Sequence, residues 1–144
     1  MATGARVYDT DVGVLSNNVW GSWPFNSERW DYGGLHSTAS NTSRLTAPSK
    51  GVYAISGHLN FANNATGRRG IRILLNGATP IAGHSHMTVT ESGVSTFMSV
   101  GTLYELNTND YVELQGYQNS GAGLGINNIS NYSPEFTMHL VEAT

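Results

Sequence analysis

The feature that most constrains the fold is an alternation of apolar with small or polar residues at every second position. It is clearest from 51 to 61, where Tyr53, Ile55, Leu59 and Phe61 occupy alternate positions. The residues between them are mostly small or polar: Val52, Ala54, Ser56, His58 and Asn60. Because successive side chains of a β-strand point to opposite faces, this segment predicts a strand with one face in a core and the other turned outward.

Five further segments alternate in the same way, and polar turn residues separate them. They are residues 71–76, 79–86, 94–106, 111–118 and 136–142. Asn76-Gly77 favours a tight hairpin turn, and no segment has the spacing of an amphipathic helix. Short strands and turns over one domain length predict an all-β fold, a single-domain jelly-roll β-sandwich of about ten strands. This domain spans residues 1–144.

Charge is scarce in this chain, and its scarcity excludes several classes of protein. Only 12% of the 144 residues are charged and the net charge is −3, whereas nucleic-acid-binding domains carry a basic surface. No apolar run reaches the roughly 18 residues of a transmembrane helix, and residues 1–13 lack the apolar segment of a signal peptide. The absence of cysteine excludes disulfides and thiolate metal sites. We therefore expect no nucleic-acid partner and no membrane insertion.

Three short motifs follow one another along the chain. Residues 25–31, Phe-Asn-Ser-Glu-Arg-Trp-Asp, fit F-x-x-x-x-W/Y-D; residues 48–53 fit P-x-x-G-x-Y; and residues 106–114 fit L-x-x-G-D-x-V-x-L, with Asn109 in place of glycine. Together they resemble the C1q/tumour-necrosis-factor-like jelly-roll family over roughly residues 6–142, and the first resembles C1q-like modules of bacteria and bacteriophages. Asn tolerates the left-handed conformation, so we expect the turn at Asn109 to be kept.

The resemblance implies a homotrimer in which one sheet turns its outer face to the three-fold axis. Strands that resemble that sheet carry aromatic and polar residues on their non-core faces, with few charges, as interfaces do. The expected interface residues are His58, Tyr111, Gln115, Tyr117, His139 and Val141. Ordinary surface exposure is the alternative for each of them.

Catalytic groups are hard to find. No acidic residues are paired with a neighbouring base on one strand, and neither G-x-S-x-G nor H-E-x-x-H occurs. The glycine-rich run 121–125 lacks the lysine of a phosphate-binding loop, so we expect a flexible strand connection there. The sequence predicts a non-enzymatic protein with no catalytic residues.

Two sets of residues are weak candidates for metal binding. His84 and His86 fall on one face of a predicted strand, about 6.6 Å apart by the rise per residue, so three copies could share an axial metal ion. A solvent-exposed or interface pair is the alternative. Four aspartates could supply oxygen ligands for calcium, although they form no acidic loop: Asp9, Asp11, Asp31 and Asp110. We expect no cofactor, with calcium or an axial metal as the alternative.

Five aromatic residues lie within thirteen positions: Trp20, Trp23, Phe25, Trp30 and Tyr32. Exposed aromatic faces stack on sugar rings, which makes Trp20, Trp23 and Tyr32 candidate ligand-binding residues. The alternative is structural, with Trp20 and Phe25 closing one end of the jelly roll or the subunit interface.

These observations predict a homotrimeric structural or binding module on the surface of a bacteriophage virion, as a head-decoration, fibre or tail-tip protein. Its expected partners are copies of itself, a capsid or tail protein docked through residues 1–11, and a host-surface glycan. The alternative is an extracellular bacterial C1q-like carbohydrate-binding module that acts as a lectin does.

Overall fold

The structure is a computed structural model that describes residues 2–87 and 93–144, and the side chains of residues 86 and 87 are outside the description. The described residues form twelve strands and contain no helix long and apolar enough to cross a membrane. The strands are β1 (Gly4–Tyr8), β2 (Gly13–Leu15), β3 (Gly21–Ser22), β4 (Ser27–Tyr32), β5 (Arg44–Thr46), β6 (Gly51–Phe61), β7 (Arg68–Leu75), β8 (Thr79–Met87), β9 (Thr96–Leu106), β10 (Tyr111–Gln118), β11 (Leu124–Ile126) and β12 (Glu135–Ala143).

Two antiparallel sheets pack face to face. The seven-stranded sheet has the order β2-β11-β6-β12-β1-β4, and β9 also pairs with β6. The five-stranded sheet has the order β3-β10-β7-β8, and β5 also pairs with β10. Strands far apart in the sequence are neighbours, as in a jelly roll, and the predicted fold class is confirmed.

The six strands predicted from alternation all form, and β6 and β10 have the predicted ends. Tyr53, Leu59 and Phe61 on β6 are fully buried, as are Phe25 and Phe136, whose rings stack with centroids 5.9 Å apart. The other six strands were not predicted: β2, β3, β5 and β11 have only two or three residues, too few to show an alternation, and β1 and β4 do not alternate clearly between apolar and polar residues. The expected loop at 121–125 therefore runs into a strand, β11.

The turn between β7 and β8 and the turn between β9 and β10 depend on asparagine and glycine in the left-handed conformation. Asn76 and Gly77 have φ of 50° and 71°, as the predicted hairpin requires. Asn109 has φ of 72°, so the residue that replaces the motif glycine keeps the turn. The side chain of Asn76 ties the two turns together, because its Nδ2 donates to Asp110 and its Oδ1 accepts from the amide of Tyr111.

The N-terminal segment is a strand of the sheet. β1 pairs with β12 on one side and with β4 on the other, and Ala5 and Val7 are fully buried. The expectation that residues 1–11 form a docking segment does not fit this placement for residues 4–8, since their backbone and half of their side chains are committed to the sandwich. Deleting the segment would remove a strand from the sheet rather than test docking.

Gly57 has no side chain, which allows Leu114 of the other sheet to pack closely against it. This contact can be tested through its effect on stability. A Cβ at Gly57 would overlap Leu114 Cδ1 and lie 2.7 Å from its Cδ2, whereas a Cβ at Gly125 would have no neighbour closer than 3.8 Å. We expect Gly57→Ala to lower the free energy of unfolding by about 1–3 kcal/mol through overpacking, as measured by urea denaturation. Gly125→Ala is the control and should stay within about 0.5 kcal/mol of the unchanged protein. Equal midpoints for the two variants would contradict this account.

Candidate functional site

The outward-facing residues of β4, β1, β12, β6 and β9 form one continuous surface, which we call the seven-strand face. Its centre is built from small side chains, because the register places Ser56 beside Thr137 on one side and Gly101 on the other. Ala54, which is half-buried, continues this shallow centre along β6. No long or charged side chain stands at these central positions, so the middle of the face is open to close contact.

Large apolar side chains surround this shallow centre. Tyr32 is 53% exposed on β4 and Leu103 is 64% exposed on β9, and the pairing of Trp30 with Arg6 puts Trp30 on the same side as Tyr32. Val141 is exposed at the bulge of β12. Trp30 and Tyr32 on β4 and Leu103 on β9 lie at opposite edges of the face, and a surface rimmed by several exposed large apolar side chains is typical of an interaction site.

An aromatic cluster closes one end of the seven-strand face. The ring of Phe97 lies 5.8 Å from that of His58 and 5.3 Å from that of Tyr132, measured between centroids. The Nδ1 atom of His58 is buried and has no hydrogen-bond partner among the described residues. His58 therefore packs here chiefly as a ring.

The main charges near this face partly neutralise one another. Glu135 is almost completely buried and accepts hydrogen bonds from Arg6 Nε at 2.6 Å and from Arg29 Nη2 at 2.9 Å. The hydrogen bond from Arg29 to Glu135 raises the pKa of the Arg29 guanidinium, which also lies 4.1 Å from the ring centroid of Tyr8. Arg6 Nη2 donates to the carbonyl of Asn131. Two guanidinium groups share one carboxylate, so the cluster compensates one of its two positive charges and keeps a net charge of +1.

The six residues expected at a trimer interface do not share one face. His58 and His139 lie on the seven-strand face, with Val141 at the β12 bulge, but Tyr111, Gln115 and Tyr117 are on β10, which pairs with β7, β5 and β3 in the other sheet. The prediction of a common face is wrong for these three residues. Alternation shows which side of a strand is turned outward, but it does not show to which sheet the strand belongs.

The outer side of the five-stranded sheet, which we call the five-strand face, carries arginines over aromatic rings. The Arg72 guanidinium lies 4.2 Å from the ring of Trp20, and Arg44 lies 4.0 Å from that of Tyr111. The Trp20 ring is also 5.3 Å from that of Tyr117. This face is therefore positive and aromatic, whereas the main charges of the other are partly compensated.

The three candidate sugar-binding residues lie in three different places. Trp20 is half-buried on the five-strand face, and Tyr32 is exposed on the seven-strand face. Trp23 is only 3% exposed, and its Nε1 donates to Asp9 Oδ2 at 3.0 Å, so the expectation that it stacks on a sugar is wrong. Burial raises the pKa of the Asp9 carboxyl, while hydrogen bonds from Asp11 and Trp23 oppose the shift.

Three of the four aspartates considered for calcium, Asp9, Asp31 and Asp110, have carboxylates that accept hydrogen bonds within the fold. Asp31 accepts from the amides of Leu35 and His36, and Asp110 accepts from the amide of Asn107, so both hold turns. His84 is exposed on β8, and the side chain of His86 lies outside the described part of the chain. Within the described residues, no three His, Asp or Glu side chains are grouped so that they could hold a metal ion.

The sandwich is similar to two solved structures over almost its whole length. The globular domain of zebrafish complement 1qA protein matches with a TM-score of 0.70 at 16% identity and covers 99% of each chain. Murine APRIL, of the tumour-necrosis-factor family, matches with a TM-score of 0.72 at 8% identity and covers 98% of this chain and 100% of its own. The fold is the C1q/tumour-necrosis-factor jelly roll. No protein-family model matches the sequence, and no curated protein does.

The C1q/tumour-necrosis-factor fold confirms the resemblance inferred from the three motifs. Two of those motifs have visible structural roles. Residues 25–31 contain β4, in which Asp31 holds the following turn, and residues 48–53 lead into β6, where the Tyr53 hydroxyl donates to the carbonyl of Ser49 at 2.7 Å. At this low identity the comparison establishes the fold, and residue roles have to be argued from the chain itself.

The Glu135 cluster can be tested by removing its negative charge. We expect Glu135→Gln to lower the free energy of unfolding by about 2–3 kcal/mol, because Arg6 and Arg29 lose the carboxylate that accepts from both. The matched control is Glu105→Gln, in which the lost partner is Lys50, 3.4 Å away with both side chains at least half exposed. That pair should contribute less than about 0.5 kcal/mol. Equal losses in chemical denaturation would contradict a special role for Glu135.

Proposed function

We propose that this protein is a non-enzymatic homotrimeric module that assembles through its seven-strand face. The observation that carries the proposal is the composition of that face: a shallow centre of small residues, a rim of exposed apolar side chains and internally paired charges. Charge of one sign on a face that meets its own copies around a symmetry axis is unfavourable, because every charge is repeated in each copy, and the pairing of Arg6 and Arg29 with Glu135 reduces it. Three copies are proposed because the fold and the sequence motifs resemble the C1q/tumour-necrosis-factor jelly rolls.

The low overall charge of the chain supports the same proposal. Interface cores are depleted of charged residues and enriched in aromatic ones, and this face presents Trp30, Tyr32, Phe97 and Tyr132 beside Leu103. Burying such residues on association stabilises the assembly by roughly 25 cal/mol for each Å² of apolar surface removed from water. His58 and His139 remain proposed interface residues, and Val141 joins them from the bulge of β12.

We further propose that the trimer is a component of a bacteriophage virion, exposed on the particle as a head-decoration, fibre or tail-tip protein. The support is the resemblance of residues 25–31 to C1q-like modules of phages and bacteria, together with a chain that contains no cysteine. Assembly through one face of the sandwich leaves the other face free for binding outside the particle. A capsid or tail protein is the proposed docking partner.

Assembly is tested by placing a charge on the seven-strand face. Leu103→Glu should convert the trimer to a monomer at micromolar concentration in sedimentation velocity, because each interface would bury an unpaired carboxylate. Val14→Glu is the matched control, since Val14 is 66% exposed and Leu103 is 64% exposed but Val14 lies on β2 at the end of the sheet, with β11 between it and the five strands of the face. It should remain trimeric. A monomeric unchanged protein, or equal dissociation of both variants, would overturn the proposed assembly.

The virion assignment is tested on purified particles of the phage that encodes the chain. Quantitative mass spectrometry, calibrated against the major capsid protein, should give a number of copies per particle that is divisible by three. An antibody should label intact particles. Absence of the chain from purified particles, or a cellular gene with no phage neighbours, would contradict the assignment. The sedimentation result would still decide the assembly independently.

A further inference from the structure

A shallow groove runs along the five-strand face between Trp20 and the edge strand β8. Its volume is about 490 Å³, and it is lined by Trp20 and Arg72 on one side and by residues 80–85 on the other. This volume lies within the range of small-ligand sites. The lining comes entirely from one copy of the chain, so the groove does not depend on the proposed trimer.

The indole ring of Trp20 forms one wall of the groove and is held in place by its neighbours. The ring of Trp20 packs against the backbone at Gly70, where an added Cβ would lie 2.7 Å from Cη2. Tyr117 supports the ring from the side, with centroids 5.3 Å apart and its hydroxyl donating to Asn18 Oδ1. Trp20 therefore presents apolar surface in a fixed place, and Pro80 and Ile81 add apolar surface on the opposite side.

The guanidinium group of Arg72 is held in place beside this wall. The Arg72 guanidinium lies 4.2 Å from the Trp20 ring, and its Nε donates to Gln115 Oε1 at 2.8 Å. Gln115 is held in turn by donating to Ser22 Oγ. No described residue accepts a hydrogen bond from the two terminal nitrogens of Arg72, which leaves the part of the side chain that binds carboxylates bidentately available.

The groove has an electrostatic preference for anions. None of the described residues that line it is acidic, and Arg68 adds a second guanidinium on the same face, 4.9 Å from the ring of Tyr117. Partial burial lowers the pKa of Arg72, which is the sign of a charge that has lost part of its hydration and gains from an anionic partner.

Hydrogen-bonding groups complete the opposite side of the groove. The register pairs Gly70 with Ser85 and Arg72 with Gly83, and directly paired residues of antiparallel strands turn their side chains to the same side of the sheet. Ser85 therefore contributes a hydroxyl on the side of Arg72, and His84 also lines the groove. A hydroxyl at this position can bond a hydroxyl group of a sugar.

We propose that this groove binds an acidic sugar residue of a surface polysaccharide. The carboxylate of the sugar pairs with the terminal nitrogens of Arg72, the apolar face of the ring packs on Trp20, and a ring hydroxyl bonds to the hydroxyl of Ser85. A neutral sugar would leave Arg72 unpaired, and an inorganic anion would not use the apolar wall. The combination of cation, indole and hydroxyl therefore favours a carboxylated sugar over either.

The test is isothermal titration calorimetry with oligogalacturonate and with the same oligosaccharide after reduction of its carboxyl groups. We expect the acidic probe to bind at least tenfold more tightly than the neutral one, and Arg72→Gln to weaken binding roughly 10- to 100-fold, the range for a hydrogen bond to a charged group. Trp20→Leu should weaken it at least fivefold, and a salt titration should weaken it further.

Arg44→Gln is the matched control, because Arg44 also lies over a tyrosine ring on the five-strand face but is not among the residues that line the groove. It should change the affinity less than twofold. The proposal is overturned by equal affinity for the two probes, by equal loss in Arg44→Gln and Arg72→Gln, by tighter binding of inorganic phosphate, or by no binding at 10 mM oligogalacturonate. The comparison of the two probes uses only the unchanged protein, so misfolding of a variant cannot obscure the result. Sedimentation of the same sample shows whether the protein is assembled, which separates a failure of sugar binding from a failure of assembly.

Discussion

The pairing of the last strand with the first is the constraint on which the rest of the structure depends. β12 lies between β1 and β6 in the middle of the seven-stranded sheet. Phe136 and Met138 on one side of β12 are fully buried in the core, and Glu135, Thr137 and His139 on the other side belong to the seven-strand face. Because one strand supplies both, a slip of its register by a single residue would exchange the core with the face through which we propose assembly.

The few charges of the chain are divided unequally between its two outer surfaces. On the seven-strand face, Glu135 is enclosed by Arg6 and Arg29, so one of the two positive charges is compensated. On the five-strand face, Arg72 and its neighbours lie over aromatic rings without a carboxylate of their own. A partly apolar surface with paired charges suits contact with identical copies, and a cationic aromatic surface suits an anionic ligand. The two proposals therefore use different sheets and do not compete for residues.

Much of the fold was predictable from local pattern, and the limits of that prediction have identifiable causes. Tyr53, Leu59 and Phe61 alternate over a long strand and are buried as expected. Tryptophan is a residue type that is common in exposed ligand-binding sites, but Trp23 is buried. Asp9, which the fold brings near, accepts its N–H. The sequence marked Trp20 as a candidate for stacking on a sugar, but no signal paired it with Arg72, which reaches it from a strand more than fifty positions away.

The sequence by itself determined six of the twelve strands, which side of each of them is apolar and where Asn76 and Asn109 turn the chain, because these depend on neighbours within a few residues. Only the tertiary structure decided that β10 belongs to the five-stranded sheet, that Arg6 and Arg29 share Glu135, and that Trp20 meets Arg72. These contacts join residues far apart in the chain, and side-chain alternation carries no information about which distant strands will pair.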